Sequence, residues 1–322
     1  MPSPRRAPLA TRVALVIGSI VIAASLAEAG LRAAHFEYHI YPTVLFGWPD
    51  PTALRDVYRA DPELIWVTRD FDEKLASARQ THPAIVFMGD SCTEFGSYPS
   101  KTLERLRRDL AAFATGVKFG VGGWSSEQGL TLLRRDLLGL KPKVITIYYG
   151  WNDHWVALGP TDPDLTLAHR VLWLADHSRL AALWMKSRMG VSGSMTSRPN
   201  RVPLDRYRAN MRAMIREAQA DGIRVVVITA PSNHVRGHEP DYLKARHVRS
   251  LDEVVPLHQS YVEATRSQAR ANGATLCDAA EAFDRSDAKD ALFQRDGIHL
   301  TDAGDRVMAD VLSRCIVDAV QH

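Results

Sequence analysis

The chain has 322 residues, 46% hydrophobic and 24% charged, with a formal net charge of +3. This is ordinary globular composition, able to build a core without metals or disulfides, and nothing in it demands nucleic acid as a partner. Its three cysteines, Cys92, Cys277 and Cys315, fit no zinc template and no disulfide framework, although an exported location would permit a Cys277–Cys315 bridge.

Arg5, Arg6 and Arg12 precede an apolar run from Val13 to Ala27, which Glu28 interrupts and Arg32 closes. As a helix, the residues between Arg12 and Arg32 would span about 28 Å, close to the thickness of a hydrocarbon core. Basic residues ahead of the run predict a cytoplasmic N-terminus and an exported remainder, periplasmic or extracellular. Residues 1–35 thus read as an anchor giving membrane association. The alternative is a signal peptide and secretion, because Ala27-Glu28-Ala29 matches a small-x-small cleavage site before Gly30.

Residues 36–82 are rich in Pro, Asp and aromatics without sustained period, and read as a connector that packs on the next domain. From position 83 to 322 a repeating pattern emerges. Short apolar, β-rich runs occur at Ala84–Met88, Val117–Val121, Val144–Tyr149, Arg224–Thr229 and Ala274–Cys277. Helical periods fall near 101–114, 126–139, 205–221, 257–272 and 301–319. Strands that are apolar throughout, alternating with helices, predict an α/β domain: a parallel sheet of about five strands covered on both faces. Such sheets bind ligands at the carboxyl ends of their strands.

The segments at those strand ends are therefore informative. Gly89-Asp90-Ser91-Cys92 comes after the first strand. The second runs into Gly120-Val121-Gly122-Gly123-Trp124-Ser125-Ser126. The third leads to Gly150-Trp151-Asn152-Asp153, and Asp296-Gly297-Ile298-His299-Leu300-Thr301 precedes the last helix. Each alone is an ordinary turn or cap signal. Together, and in this order, they resemble the blocks of the SGNH/GDSL hydrolase superfamily, named for its catalytic Ser, Gly, Asn and His. The likeness runs from Ala84 to about Leu312 and is most specific over Asp296–Gly304. It implies a three-layer α/β/α fold with a flavodoxin-like sheet and Gly123 in the family's glycine role. One departure is Lys118, where the family often has Asn, which puts a supporting hydrogen bond in doubt.

The chemistry of these residues agrees. A serine hydroxyl needs a base within hydrogen-bond reach, and the base needs an orienting group. His299 is the best base because Asp296 lies three residues earlier, in a turn that lets the carboxylate reach one ring nitrogen while the other faces Ser91. Acyl transfer also needs oxyanion donors: the N–H groups of Ser91 and Gly123 and the Asn152 amide are available. An α/β-hydrolase elbow is disfavoured, since Thr93 stands where its second Gly would be. Asp90 is expected to hold the Ser91 turn, Cys92 to be a small buried residue, and Asp153 and His154 to lie in a turn at the surface. His234 and His238 lack a third metal ligand at sensible spacing. No metal and no cofactor are expected.

Residues 154–204 read as an insertion containing an amphipathic stretch, Leu165 to Met189, with Trp173 and Trp184 interleaved with Arg170, Arg179, Lys186 and Arg188. It either packs on the sheet or walls the cleft. The leading function is serine-dependent hydrolysis of a small-molecule or glycan carboxylic ester through an acyl-enzyme. The alternatives are acetyl transfer to or from an envelope polysaccharide, and a non-catalytic module binding glycan or protein.

Overall fold

The computed structural model describes residues 8–37, 56–157, 161–167, 177–188, 198–244 and 247–321. Arg170 and Trp173 of the predicted amphipathic stretch, and much of the connector, lie outside them. The first element is a helix over Leu9–Ala33 with no buried residue.

Next come two short antiparallel strands, β1 (Tyr58–Asp61) and β2 (Ile65–Thr68), and a helix over Phe71–Thr81. This corrects the aperiodic reading of the connector. Phe71, Leu75 and Ala78 recur on one face at helical spacing and are buried. The signal was masked by a charged opposite face. Tyr58, Leu64, Ile65, Trp66 and Val67 are buried with them in the same core cluster.

Five parallel strands form the main sheet: β3 (Ile85–Gly89), β4 (Gly116–Gly120), β5 (Val144–Tyr148), β6 (Arg224–Ile228) and β7 (Thr275–Cys277). Their order is β4-β3-β5-β6-β7, the flavodoxin-like arrangement. Alternate residues serve opposite faces: Val86, Met88, Ile145, Ile147, Val225 and Val227 enter one core, while Ile85, Phe87, Val144, Tyr148, Val226 and Ile228 enter the other. Burial on both sides is why these strands read as continuous apolar runs.

Helices Tyr98–Asp109 and Asp302–Gln321 pack together on one face. Helices Ser126–Leu132, Leu204–Ala220 and Val254–Ala271 cover the other. The fold is therefore three-layered α/β/α. The segment after β5 contains helices Asp162–Leu167 and Arg179–Arg188, and returns through a bridge between Val156 and Asn200.

Cys277 at the end of β7 is bonded to Cys315 in the C-terminal helix, 38 positions later. The bridge was only permitted by the sequence, because β7 and that helix become neighbours through the tertiary fold. Cys315→Ser is expected to lower stability by about 3–4 kcal/mol, the loop-closure entropy for a loop of this size, read from denaturant unfolding under non-reducing conditions.

Candidate active site

The site grows from the carboxyl end of β3, where the strand order reverses: β4 lies on one side and β5 on the other. Asp90 follows β3 directly as the N-cap of a short helix, Ser91–Phe95, its carboxylate accepting from Cys92 N–H at 2.9 Å. That cap turns the chain sharply and presents Ser91 at the rim. Asp90 is 2% exposed, and burial pushes its carboxyl up to about 6. Cys92 is buried beneath it, and burial raises its thiol well above the ordinary value.

Beyond β4, Val121 to Trp124 make a turn closed by Trp124 N–H donating to Val121 C=O at 3.1 Å. Gly123 occupies its third position with φ +78°, a conformation that favours glycine. The turn is gripped from three sides. Gly122 N–H donates to the Glu94 carboxylate, which also accepts from Tyr58 Oη at 2.8 Å. Arg201 donates to Gly123 C=O at 2.7 Å and is paired with Asp162 at 2.7 Å, both side chains essentially buried. Asn152 donates to Trp124 C=O at 3.0 Å. Among the described residues, no acceptor takes the N–H of Ser91 or Gly123.

After β5, the second Asn152 hydrogen bond goes to Asp90 Oδ2 at 3.1 Å. Both amide hydrogens thus have protein acceptors, so stabilising a further oxygen requires exchanging one of them. Asp153 and His154 are not at the surface: both are fully buried. Asp153 accepts from Ser126 N–H at 3.0 Å and from its hydroxyl, tying the Asn152 loop to the helix after the glycine turn. Burial pushes the Asp153 carboxyl up to about 7. His154 bonds His258 at 3.1 Å, and His258 donates to Ala230 C=O at 2.9 Å while stacking on Trp151. A polar pair next to Asn152 looks like a turn in one dimension; the missing information was the neighbouring elements that cover it.

The last element is the loop ahead of the C-terminal helix. Asp296 Oδ1 accepts from the N–H groups of Ile298 and His299, both at 2.9 Å. Its Oδ2 accepts from His299 Nδ1 at 2.6 Å, and Ser91 Oγ lies 2.9 Å from His299 Nε2. Burial disfavours the His299 imidazolium, but the Asp296 bond and charge, with a further contribution from Asp90, outweigh it and raise the imidazole above its ordinary value. Burial likewise opposes ionised Asp296, and the His299 and backbone bonds overcome it, lowering that carboxyl. Gly297, at φ +71°, lets the loop pass close to His234, where a Cβ would meet the ring at 2.9 Å. His234 Nε2 donates to Asp296 C=O at 2.8 Å, and Tyr242 Oη does so at 3.1 Å. His234 thus steadies this loop.

Ser91, Gly123, Asn152, Asp296 and His299, separated by up to 208 positions, all line one cleft. Tyr58, Phe95, Trp151, Trp155, Tyr242 and His247 wall it, and among the described residues no Lys or Arg lines it. The arrangement can remove a proton from Ser91, hold an imidazolium, and accommodate an uncharged group. Sequence reasoning missed Tyr58, Glu94, Asp162, Arg201 and Tyr242. Only Glu94 carried a local signal, one helical turn after Ser91. The Lys118 ammonium donates to the carbonyls of Glu94 and Gly96, so this cation braces the Ser91 helix.

The sequence profile of the GDSL-like lipase/acylhydrolase family matches residues 87–307. The chain belongs to that family, which makes it an enzyme acting on ester bonds. Solved structures to which it is similar include a GDSL-like lipase from Bacteroides thetaiotaomicron (19% identity, 78% of this chain and 97% of that one, TM-score 0.49). Others are a GDSL-like lipase from Parabacteroides merdae (17%, 72% and 94%, TM-score 0.49) and a lipase/acylhydrolase from Enterococcus faecalis (19%, 72% and 94%, TM-score 0.47). No curated protein matches the chain.

Glu94→Ala would remove the carboxylate that accepts from both Gly122 N–H and Tyr58 Oη. We expect a loss of about 1–3 kcal/mol by denaturant unfolding, partly recovered in Glu94→Gln, whose carbonyl oxygen can still accept.

Proposed function

We propose that the protein hydrolyses an uncharged carboxylic ester through an acyl-enzyme on Ser91, with His299 as general base and acid and Asp296 as its orienting carboxylate. One observation carries the reading: the continuous contact Asp296 Oδ2–His299 Nδ1 at 2.6 Å and His299 Nε2–Ser91 Oγ at 2.9 Å. With Nδ1–H held by Asp296, the neutral ring presents its Nε2 lone pair to the serine hydroxyl.

In the first half-reaction the Ser91 proton passes to His299 Nε2 as Oγ bonds the ester carbon. The carbonyl oxygen takes up negative charge. The N–H groups of Ser91 and Gly123 are its donors, and Asn152 joins by exchanging one of its protein acceptors. Collapse breaks the bond to the leaving alkoxide, which takes the proton from His299. Water repeats the sequence on the acyl-Ser91 ester, giving carboxylic acid and free enzyme. Each oxyanion donor is worth about 3 kcal/mol when removed singly. A cleft wall without cationic side chains among the described residues favours a neutral ester over a phosphorylated or acidic one.

The test is turnover of a chromogenic acetate ester together with labelling by a fluorophosphonate. Ser91→Ala and His299→Ala should each reduce turnover on the order of 10⁴-fold or more and abolish labelling; labelling that persists in Ser91→Ala would assign the nucleophile elsewhere.

The charge on His299 sets the pH dependence. The ring acts as base only when neutral, so the labelling rate should rise with pH through a midpoint above the ordinary imidazole value. Asp296→Asn removes the charge that favours imidazolium. The midpoint should therefore move down, while the limiting rate falls on the order of 10⁴-fold.

A further inference from the structure

We propose that the N-terminal helix is retained in the mature protein as a bilayer-spanning anchor clasped to the helix Arg179–Arg188, and that this clasp lays the exposed face of the second helix on the membrane surface. The proposal does not rest on the assignment of the esterase site.

The apolar helix runs unbroken over Leu9–Ala33, with a mean hydropathy of 2.1 across its most apolar window and none of that window buried. Leu15, Val16, Ile17, Ile20, Val21, Ile22 and Leu26 are all exposed. A fully exposed apolar surface of this length fits a hydrocarbon environment. Length and apolarity alone do not distinguish an anchor from a signal segment.

Glu28 supplies the distinction. Its carboxylate accepts from Ser178 Oγ at 2.9 Å, from Arg179 N–H at 3.1 Å and from Leu180 N–H at 2.9 Å. It therefore satisfies first-turn donors of a helix about 150 residues away in sequence. Arg32, one turn further on, donates to Glu28 at 2.7 Å and to the carbonyl of His177 at 3.0 Å. A carboxylate in an otherwise apolar helix is costly unless it has such partners. Cleavage before Gly30 would remove Glu28, separate it from Arg32, and leave those first-turn N–H groups without their acceptor. A segment destined for removal has no need to complete the folded domain; a permanent one does.

The clasp also fixes a level. With Arg12 near the cytoplasmic face, the stretch to Arg32 spans about 28 Å, which puts the Glu28–Arg32 pair where hydrocarbon gives way to headgroups. The clasped helix therefore starts at that depth. It exposes Leu183 and Trp184, 39% and 51% accessible. Its Lys186 lies 5.5 Å from the ring of Phe36, just past the anchor. An apolar residue, a tryptophan and a lysine on one short helix suit a membrane–water interface. The disulfide in the α/β body is compatible with the exported side of the membrane.

The full chain, produced in a bacterial host, should be recovered from the membrane fraction with its N-terminal helix intact by mass spectrometry. An exported soluble chain starting at Gly30 would overturn the proposal. For the surface contact, Leu183→Cys and, as a reference, Asp205→Cys would each carry an environment-sensitive fluorophore. The labelled proteins would be reconstituted in phosphatidylethanolamine–phosphatidylglycerol vesicles with brominated acyl chains. Quenching should be several-fold stronger at position 183 than at 205, and equal quenching would remove the surface contact. Adding Glu28→Ala should leave the chain in the membrane but bring quenching at 183 down towards that at 205; unchanged quenching would show that Glu28 does not hold the helix in place.

Discussion

The carboxyl end of β3 is the constraint on which the site depends. Because β4 and β5 pair with opposite edges of β3, the loops leaving all three strands diverge around one point instead of covering it. Ser91 sits on the first, the glycine turn on the second and Asn152 on the third. The loop carrying Asp296 and His299 closes the circle because the C-terminal helix packs beside helix Tyr98–Asp109, directly under the rim. Ser97 makes that junction specific: its N–H and hydroxyl both donate to the Asp305 carboxylate, at 2.8 and 2.7 Å.

The glycine turn is the part of this rim with the least intrinsic stiffness and the most external support. A type II-like turn with two glycines has little side-chain packing of its own. Here its amide is held by Glu94 and its carbonyls by Arg201 and Asn152. Arg201 and Asp162 come from the segment after β5, Tyr58 from the N-terminal strands, and Glu94 from the Ser91 helix. Peripheral segments thus determine the orientation of the Gly123 peptide. The buried Arg201–Asp162 pair is costly to desolvate. Its return is a fixed Gly123 carbonyl, while the adjoining peptide, which carries the Gly123 N–H, is held through Gly122 C=O, the acceptor of Trp66 Nε1 at 3.0 Å.

Several differences between expectation and structure have one physical origin. Asp153 and His154 looked like a surface turn because polar residues after a strand usually are one; here helices Ser126–Leu132 and Val254–Ala271 supply their partners. The helix Phe71–Thr81 was hidden because three apolar residues among charged ones make a weak periodic signal. Lys118 replaces an expected amide with an ammonium that reaches two carbonyls at the Ser91 helix. In each case the deciding contact comes from a residue distant in sequence.

The order of strands and main helices from β3 onward, the loops that carry Ser91, Gly123, Asn152 and His299, and the apolar N-terminal helix were legible in the sequence, because local periodicity and short-range motifs encode them. Asp296 could be paired with His299 for the same reason, being one turn away. What only the tertiary structure decided is the network around them: Glu94 and Tyr58 on Gly122, Arg201 on Gly123, His234 and Tyr242 on Asp296, Glu28 on the helix at 179, and the Cys277–Cys315 bond. These are contacts between side chains and backbone groups whose proximity is created by sheet pairing and helix packing. No pattern along one segment can specify them.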